Sequence, residues 1–242
     1  MIRRQRDDGK IMHEYSQAAD LVDWKSFRYF FASADATPLL PMTMEDYLRA
    51  SGDLRFLEKH WAALKKAYSF VRAHDSDGDG IYENTQGHGW VEIWLPRLPF
   101  QEVYLAALDQ QMCEAMAYLA SLLGDHELAR SAAAQARKIA GQLQTGYYDA
   151  ELDFYQFSRN SDGTYDPTTT IFPAVAWWTG RLMLPGAEAM FRRWASAEFS
   201  TDWGTRSVSQ REKIYDPISY HQGSVWPLFT GWVALAEYRA GR

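Results

Sequence analysis

The sequence predicts an all-α chain, an α/α toroid of helical hairpins with polar, aromatic loops gathered at one end. Three observations carry this. Apolar residues recur at three- and four-residue steps over several long stretches. Gly-Asp pairs separate those stretches two by two, as at Gly52-Asp53 and Gly124-Asp125. The intervening loops are rich in Trp, Tyr, His, Asp and Glu rather than in plain turn residues. No short repeat period of the solenoid kind is present.

Taken in order, Met1 to Asp8 is polar and basic and reads as an arriving strand or loop. Gly9 to Ser16 sets His13 and Glu14 beside apolar residues, without the second His at helical spacing that a zinc helix needs. The aromatic stretch 27–32 is easily mistaken for a strand. A helix is expected from Asp35 or Thr37 to about Ala50, with Pro38 in its first turn, where a missing N–H does no harm. Gly52 stops it, and Asp53 caps a second helix to about His74 with Trp61, Leu64, Ala67, Tyr68 and Val71 on its buried stripe.

Asp75-Ser76-Asp77-Gly78-Asp79-Gly80 is like the opening of a calcium loop, but its twelfth position is Gln86 rather than a bidentate Glu. A plain Asp/Gly turn is the reading kept. The next loop, Gln86 to Trp94, places Glu92 between Trp90 and Trp94. A carboxyl beside indoles is expected to be partly desolvated and suited to donating a proton; the common alternative is a surface Glu. After Pro99, helices are expected from about Gln101 to Leu123 and from His126 to Gln144. Phe154 to Phe157 is strand-like, with Asp162-Gly163 as its turn. A helical pair over Pro173–Leu184 and Gly186–Ser196 follows.

Tyr215 to Pro227 is glycine-punctuated and aromatic, and it leads into a last helix, Val225 to Tyr238. A loop carrying Tyr220, His221, Gln222 and Trp226 to a helix start suits a polyhydroxyl ligand. Sugar rings offer C–H faces to aromatics and hydroxyls to fixed polar groups. A packed aromatic turn is the plain alternative.

Composition narrows the classes. The chain has 242 residues, long enough for a sizeable core in one domain, 1–242. It carries a net charge of −6 and no basic stripe, so nucleic acid is not an expected partner. No apolar run reaches membrane-spanning length. The first residues are charged rather than leader-like, so a cytoplasmic location is expected. Cys113, the single cysteine, reads as an inert core thiol. Aromatics are 15% of the chain, ten of them Trp, more than a core is expected to need and in keeping with a carbohydrate cleft.

Five blocks then carry a resemblance. They are Gln5-Arg6-Asp7-Asp8-Gly9-Lys10-Ile11-Met12-His13-Glu14, Ser33-Ala34-Asp35-Ala36-Thr37-Pro38-Leu39, the Gly89-Trp90-Val91-Glu92 region, Trp203-Gly204-Thr205-Arg206, and Tyr220-His221-Gln222-Gly223-Ser224-Val225-Trp226-Pro227. In order and over nearly the whole chain, they resemble the catalytic domain of bacterial glycogen-debranching enzymes of the amylo-α-1,6-glucosidase type. That family belongs with the six-hairpin glycosidases. The resemblance implies an (α/α)6 barrel, no cofactor or metal, an α-glucan oligosaccharide or polysaccharide as substrate, and hydrolysis with inversion.

Carried over by position, Glu92 matches the general acid, where many members have Asp. Trp90 would line the sugar site and Asp35 would hold the non-reducing glucose. Arg6, His13 and Glu14 match pocket-wall positions, and Glu102, just inside the helix after the acid, matches an orienting Glu. Arg206 lies in a matching block, and Tyr220, His221 and Trp226 would close the opposite wall. Inversion needs a second carboxylate roughly 6.5–9.5 Å from the acid. The family's base lies past the last block, and neither Asp202 nor Asp216 is expected to replace it. About seven helices are legible by periodicity where the barrel has twelve. The chain is therefore expected to be an interior part of a longer enzyme, exposing apolar faces and prone to dimerise. A sugar-binding protein without hydrolysis and a helical protein-interaction module are the competing classes.

Overall fold

The computed structural model describes residues 1–16, 18, 21, 23, 28–94 and 97–242. Position 27 of the aromatic stretch lies outside them. Arg28–Phe31 form a 3-10 turn.

The chain is mainly helical and divides into two compact units. The first comprises Met1–Trp90 and Leu108–Ile139, the second Val91–Ala107 and Ala140–Arg242. In the first unit, α1 (Ala36–Ser51) and α2 (Leu54–Arg72) form an antiparallel hairpin. Gly52 ends α1 in the left-handed region, φ 69°, and donates its N–H to the Leu48 carbonyl. The Asp53 carboxylate accepts the Phe56 N–H and starts α2. The buried stripe of α2 is Leu57, Leu64, Ala67, Tyr68, Phe70 and Val71, while Trp61 is only half-buried. Two further helices follow, α3 (Val103–Leu122) and α4 (His126–Gln142). Met112, Cys113, Met116, Leu119, Ala132, Ala136 and Ile139 add to the buried apolar residues of the first unit. Inside it, fully buried Asp109 pairs with Arg72 and accepts the Tyr82 N–H at 3.0 Å. Burial pushes the Asp109 carboxyl up, against the pull of Arg72.

The second unit is built from short pieces. Gln101–Glu102 (β1) pair antiparallel with β4 (Ser158–Arg159), which pairs with β5 (Tyr165–Asp166). β2 (Tyr148–Asp149) pairs with β3 (Phe154–Tyr155), and β6 (Ser200–Thr201) with β7 (Gly204–Thr205). α5 is Val175–Trp178, α6 Glu188–Trp194 and α7 Pro227–Arg239.

Several expectations are corrected here. The helix expected from Gln101 starts two residues later, because Gln101 and Glu102 bond across to β4. The Asp162-Gly163 turn is real, but it joins Ser158–Arg159 to Tyr165–Asp166 rather than closing on Phe154–Phe157. The helix expected over Pro173–Leu184 stops at Trp178, and Gly180 takes φ 77°.

The aromatic excess is largely core. Trp94 stacks on Phe157 at 4.0 Å and Trp178 on Trp232 at 4.6 Å. Trp177, Phe191 and Trp194 meet edge to face at 5.2–5.3 Å.

Among the described residues no helix is long and apolar enough to cross a membrane.

Candidate active site

In the first unit the expected wall residues sit on three adjoining segments. Ser33 and His88 form a parallel bridge; Ala34 N–H donates to the His88 carbonyl and His88 N–H to that of Ala32. This pairing delivers Asp35 to the start of α1, where its carboxylate accepts from Ser33 Oγ. Ile11 N–H donates to Thr37 Oγ1 at 3.1 Å, tying the 10–12 stretch to the same helix turn. His13 is held at the Phe30 carbonyl, with its Nε2 4.0 Å from Glu14. Trp90 is half-buried. Arg6 pairs with Asp8 at 2.5 Å and lies over Phe31 and Phe70, so its guanidinium is already engaged. Lys10 is buried and donates to the Gln86 carbonyl. Burial, with Arg6 nearby and only partly offset by Asp8, lowers its ammonium to about 8.

The Asp75–Gly80 turn brings Asp75, Asp77 and Glu83 within 4.8 Å of one another. Glu83 is the ninth residue of the loop, not the twelfth where a Glu was sought. Its Oε1 already accepts from the Ser76 hydroxyl at 2.6 Å. A groove of about 1160 Å³ in the same unit is lined by Arg3, Arg4, Tyr47, Phe56, Lys59 and His60, among others, and contains none of the expected site residues.

In the second unit the loop carrying Glu92 meets the loop carrying Tyr220, His221 and Trp226. Glu92 N–H donates to His221 Nε2 at 3.2 Å, and the Glu92 carboxylate lies 3.8 Å from the same nitrogen. His221 is 3% exposed, whereas the Glu92 side chain is 58% exposed. The expected desolvation of Glu92 between indoles is therefore corrected. Trp94 turns into the core and donates to Asp166 at 3.0 Å, leaving the carboxylate in solvent.

The turn that carries Tyr220 and Trp226 is held by its own contacts. Trp226 Nε1–H donates to the Tyr220 carbonyl at 3.0 Å, and the two rings meet edge to face at 4.8 Å. The Trp226 ring lies nearly parallel to the His221 imidazole at 6.5 Å. Tyr220 remains mostly exposed, so an aromatic face is presented to solvent. Gly223 permits this fold of the loop: a Cβ there would sit 2.6 Å from the Tyr215 ring and 2.8 Å from the Asp216 carbonyl.

Two residues fall elsewhere. Arg206 donates to the Tyr215 hydroxyl and to the Ala197 and Ser200 carbonyls, which makes it a brace of the β6–β7 hairpin. Glu102 is fully buried on β1 rather than on a helix. One residue named in the aromatic turn holds the other loop instead of facing a ligand. Gln222 donates from Nε2 to the Ile93 carbonyl at 2.6 Å and is nearly buried. A primary amide inside an aromatic turn was the available signal.

The fold has known counterparts. A mannosylglycerate hydrolase of family GH63 from Thermus thermophilus, solved with Tris, superposes with a TM-score of 0.66 at 13% identity. The match covers 98% of this chain and 76% of that one. A GH78 rhamnosidase from Bacillus sp. GL1 gives 0.59 at 18% identity over 84% of this chain, and a sialidase 0.64 at 13% over 79%. This chain spans about a fifth of the length of those two proteins: 19% and 18%. No curated protein matches it. The helical fold is that of the six-hairpin glycosidases. Within that class the profile of the mannosylglycerate hydrolase MGH1-like glycoside hydrolase domain matches residues 100–239. The chain belongs to this MGH1-like glycoside hydrolase family.

Proposed function

We propose that the chain hydrolyses an α-glycosidic bond with inversion and that Glu92 is the proton donor. The observation that carries this is the approach, within one unit, of the solvent-facing Glu92 carboxylate to His221, whose ring packs against Tyr220 and Trp226. In this reaction the acid protonates the leaving glycosidic oxygen as the C1–O bond breaks. Water attacks C1 from the opposite face and gives its proton to a second carboxylate, expected to be neither Asp202 nor Asp216. Tyr220 and Trp226 are proposed to meet sugar ring faces.

The substrate proposed first is an α-glucan, cut at α-1,6 branches, which rests on the five sequence blocks. A cytoplasmic site of action goes with that reading and is checked by fractionation. The family match favours a second reading, a short α-glycoside such as mannosylglycerate. Anomer-resolved NMR on isomaltose, maltooligosaccharides and α-mannosylglycerate decides between them. Release of β-glucose supports the first and β-mannose the second. Release of the α anomer would overturn inversion. Asp202→Asn and Asp216→Asn are each expected to keep turnover within about threefold; a collapse in either variant would identify it as the base.

A further inference from the structure

We propose that Gln222 and His221 are positioning residues that clamp the backbone of residues 92 and 93 and thereby aim the Glu92 carboxyl. This rests on Glu92 being the proton donor. Among the described residues the Glu92 carboxylate makes no hydrogen bond, and its approach to His221 is 3.8 Å. For such a side chain the backbone sets where the Cα–Cβ bond points and which rotamers are open, and so the region the carboxyl can reach. That backbone is gripped at two neighbouring residues. Glu92 N–H donates to His221 Nε2, and the Ile93 carbonyl accepts from Gln222 Nε2.

The grip is itself anchored. Ser219 Oγ donates to Gln222 Oε1, which turns the amide nitrogen toward Ile93. Ser219 Oγ also accepts the Gln222 N–H at 3.2 Å, and Asp216 N–H donates to the Gln222 carbonyl at 3.0 Å. Buried Ser207 donates its hydroxyl to the His221 carbonyl at 2.7 Å. Adjacent residues on one turn thus fix a loop 129 positions earlier in the chain.

The test uses the full chain with two substrates. Isomaltose needs its leaving oxygen protonated, whereas α-glucosyl fluoride needs little proton donation. Gln222→Ala and His221→Ala are expected to lower kcat on isomaltose about ten- to hundredfold, with KM within about threefold, and to cost less than about threefold on the fluoride. His221→Asn, which keeps an acceptor, is expected to recover most of the loss. Amide exchange in the 91–94 stretch is expected to speed up at least about tenfold in the alanine variants. Equal losses on both substrates would mean a merely structural role and overturn the clamp. Unchanged exchange in Gln222→Ala would overturn it whatever the turnover. Glu92→Gln separates the two claims: full turnover there removes the proton-donor reading, while its loss beside an unaffected Gln222→Ala removes the clamp alone. If either alanine variant fails to fold, Ser219→Ala, which frees the Gln222 amide without emptying the turn, is expected to show the same split in weaker form. Its absence there would count against the clamp.

Discussion

Glu92→Gln keeps the size of the side chain and removes the transferable proton. Its kcat is expected to fall about 10²–10⁴-fold with sugar affinity nearly unchanged, measured by turnover and by calorimetry on the same preparation. Gly223→Ala acts differently. The added methyl meets the Tyr215 ring and the Asp216 carbonyl, so the turn must move. A loss of about 1–3 kcal/mol in a denaturant melt is expected, together with faster exchange at residues 92–93. At this scale the sequence showed the two loops that meet but not how their residues face. Whether an indole covers a carboxylate depends on which side of the backbone it takes. Trp94 takes the core side, where Asp166 receives its N–H. Arg206 was equally opaque, because its partners are backbone carbonyls that no residue type announces.

Helices with their own end signals were legible. Gly52 and Asp53 mark the α1–α2 junction because one tolerates positive φ and the other offers a carboxylate to free N–H groups. The two-residue strands were not, since a pair such as Gln101–Glu102 with Ser158–Arg159 exists only once distant segments meet. The Arg72–Asp109 pair belongs to this scale, joining α2 to α3 in the first unit. Asp109→Ala leaves the Arg72 charge without its carboxylate. It is expected to cost about 3–5 kcal/mol, read by denaturant unfolding. Replacing both residues by apolar ones is expected to recover much of that loss, as buried pairs stand close to break-even with well-packed hydrophobic substitutes.

The molecule as a whole titrates in a way its net charge does not reveal. Lys10 has its ammonium lowered to about 8 in the folded state, against 10.5 in the ordinary one. Between those values the unfolded chain binds more protons, so stability rises with pH across that window. The Lys10→Met difference is expected to change by about 1–3 kcal/mol between about pH 8 and 10, measured by melts of both proteins in the same buffers. Above that, burial has raised the Tyr68, Tyr82 and Tyr155 hydroxyls, and their ionisation in the unfolded chain takes stability away again. Composition alone does not divide the rings by role: most of the second unit's rings are packing, while Tyr220 stays exposed. The span between residues 92–93 and 221–222 also has a consequence in time. At ribosomal speeds of about 5–20 residues per second, roughly 6–26 s separate the synthesis of Glu92 from that of His221. During that interval α1 and α2 can form and Trp94 of the same loop can reach Phe157 and Asp166, while residues 92 and 93 still lack the turn that grips them. A nascent chain therefore carries its early helices well before that turn, and a stall in the interval leaves residues 92 and 93 without their His221 and Gln222 partners.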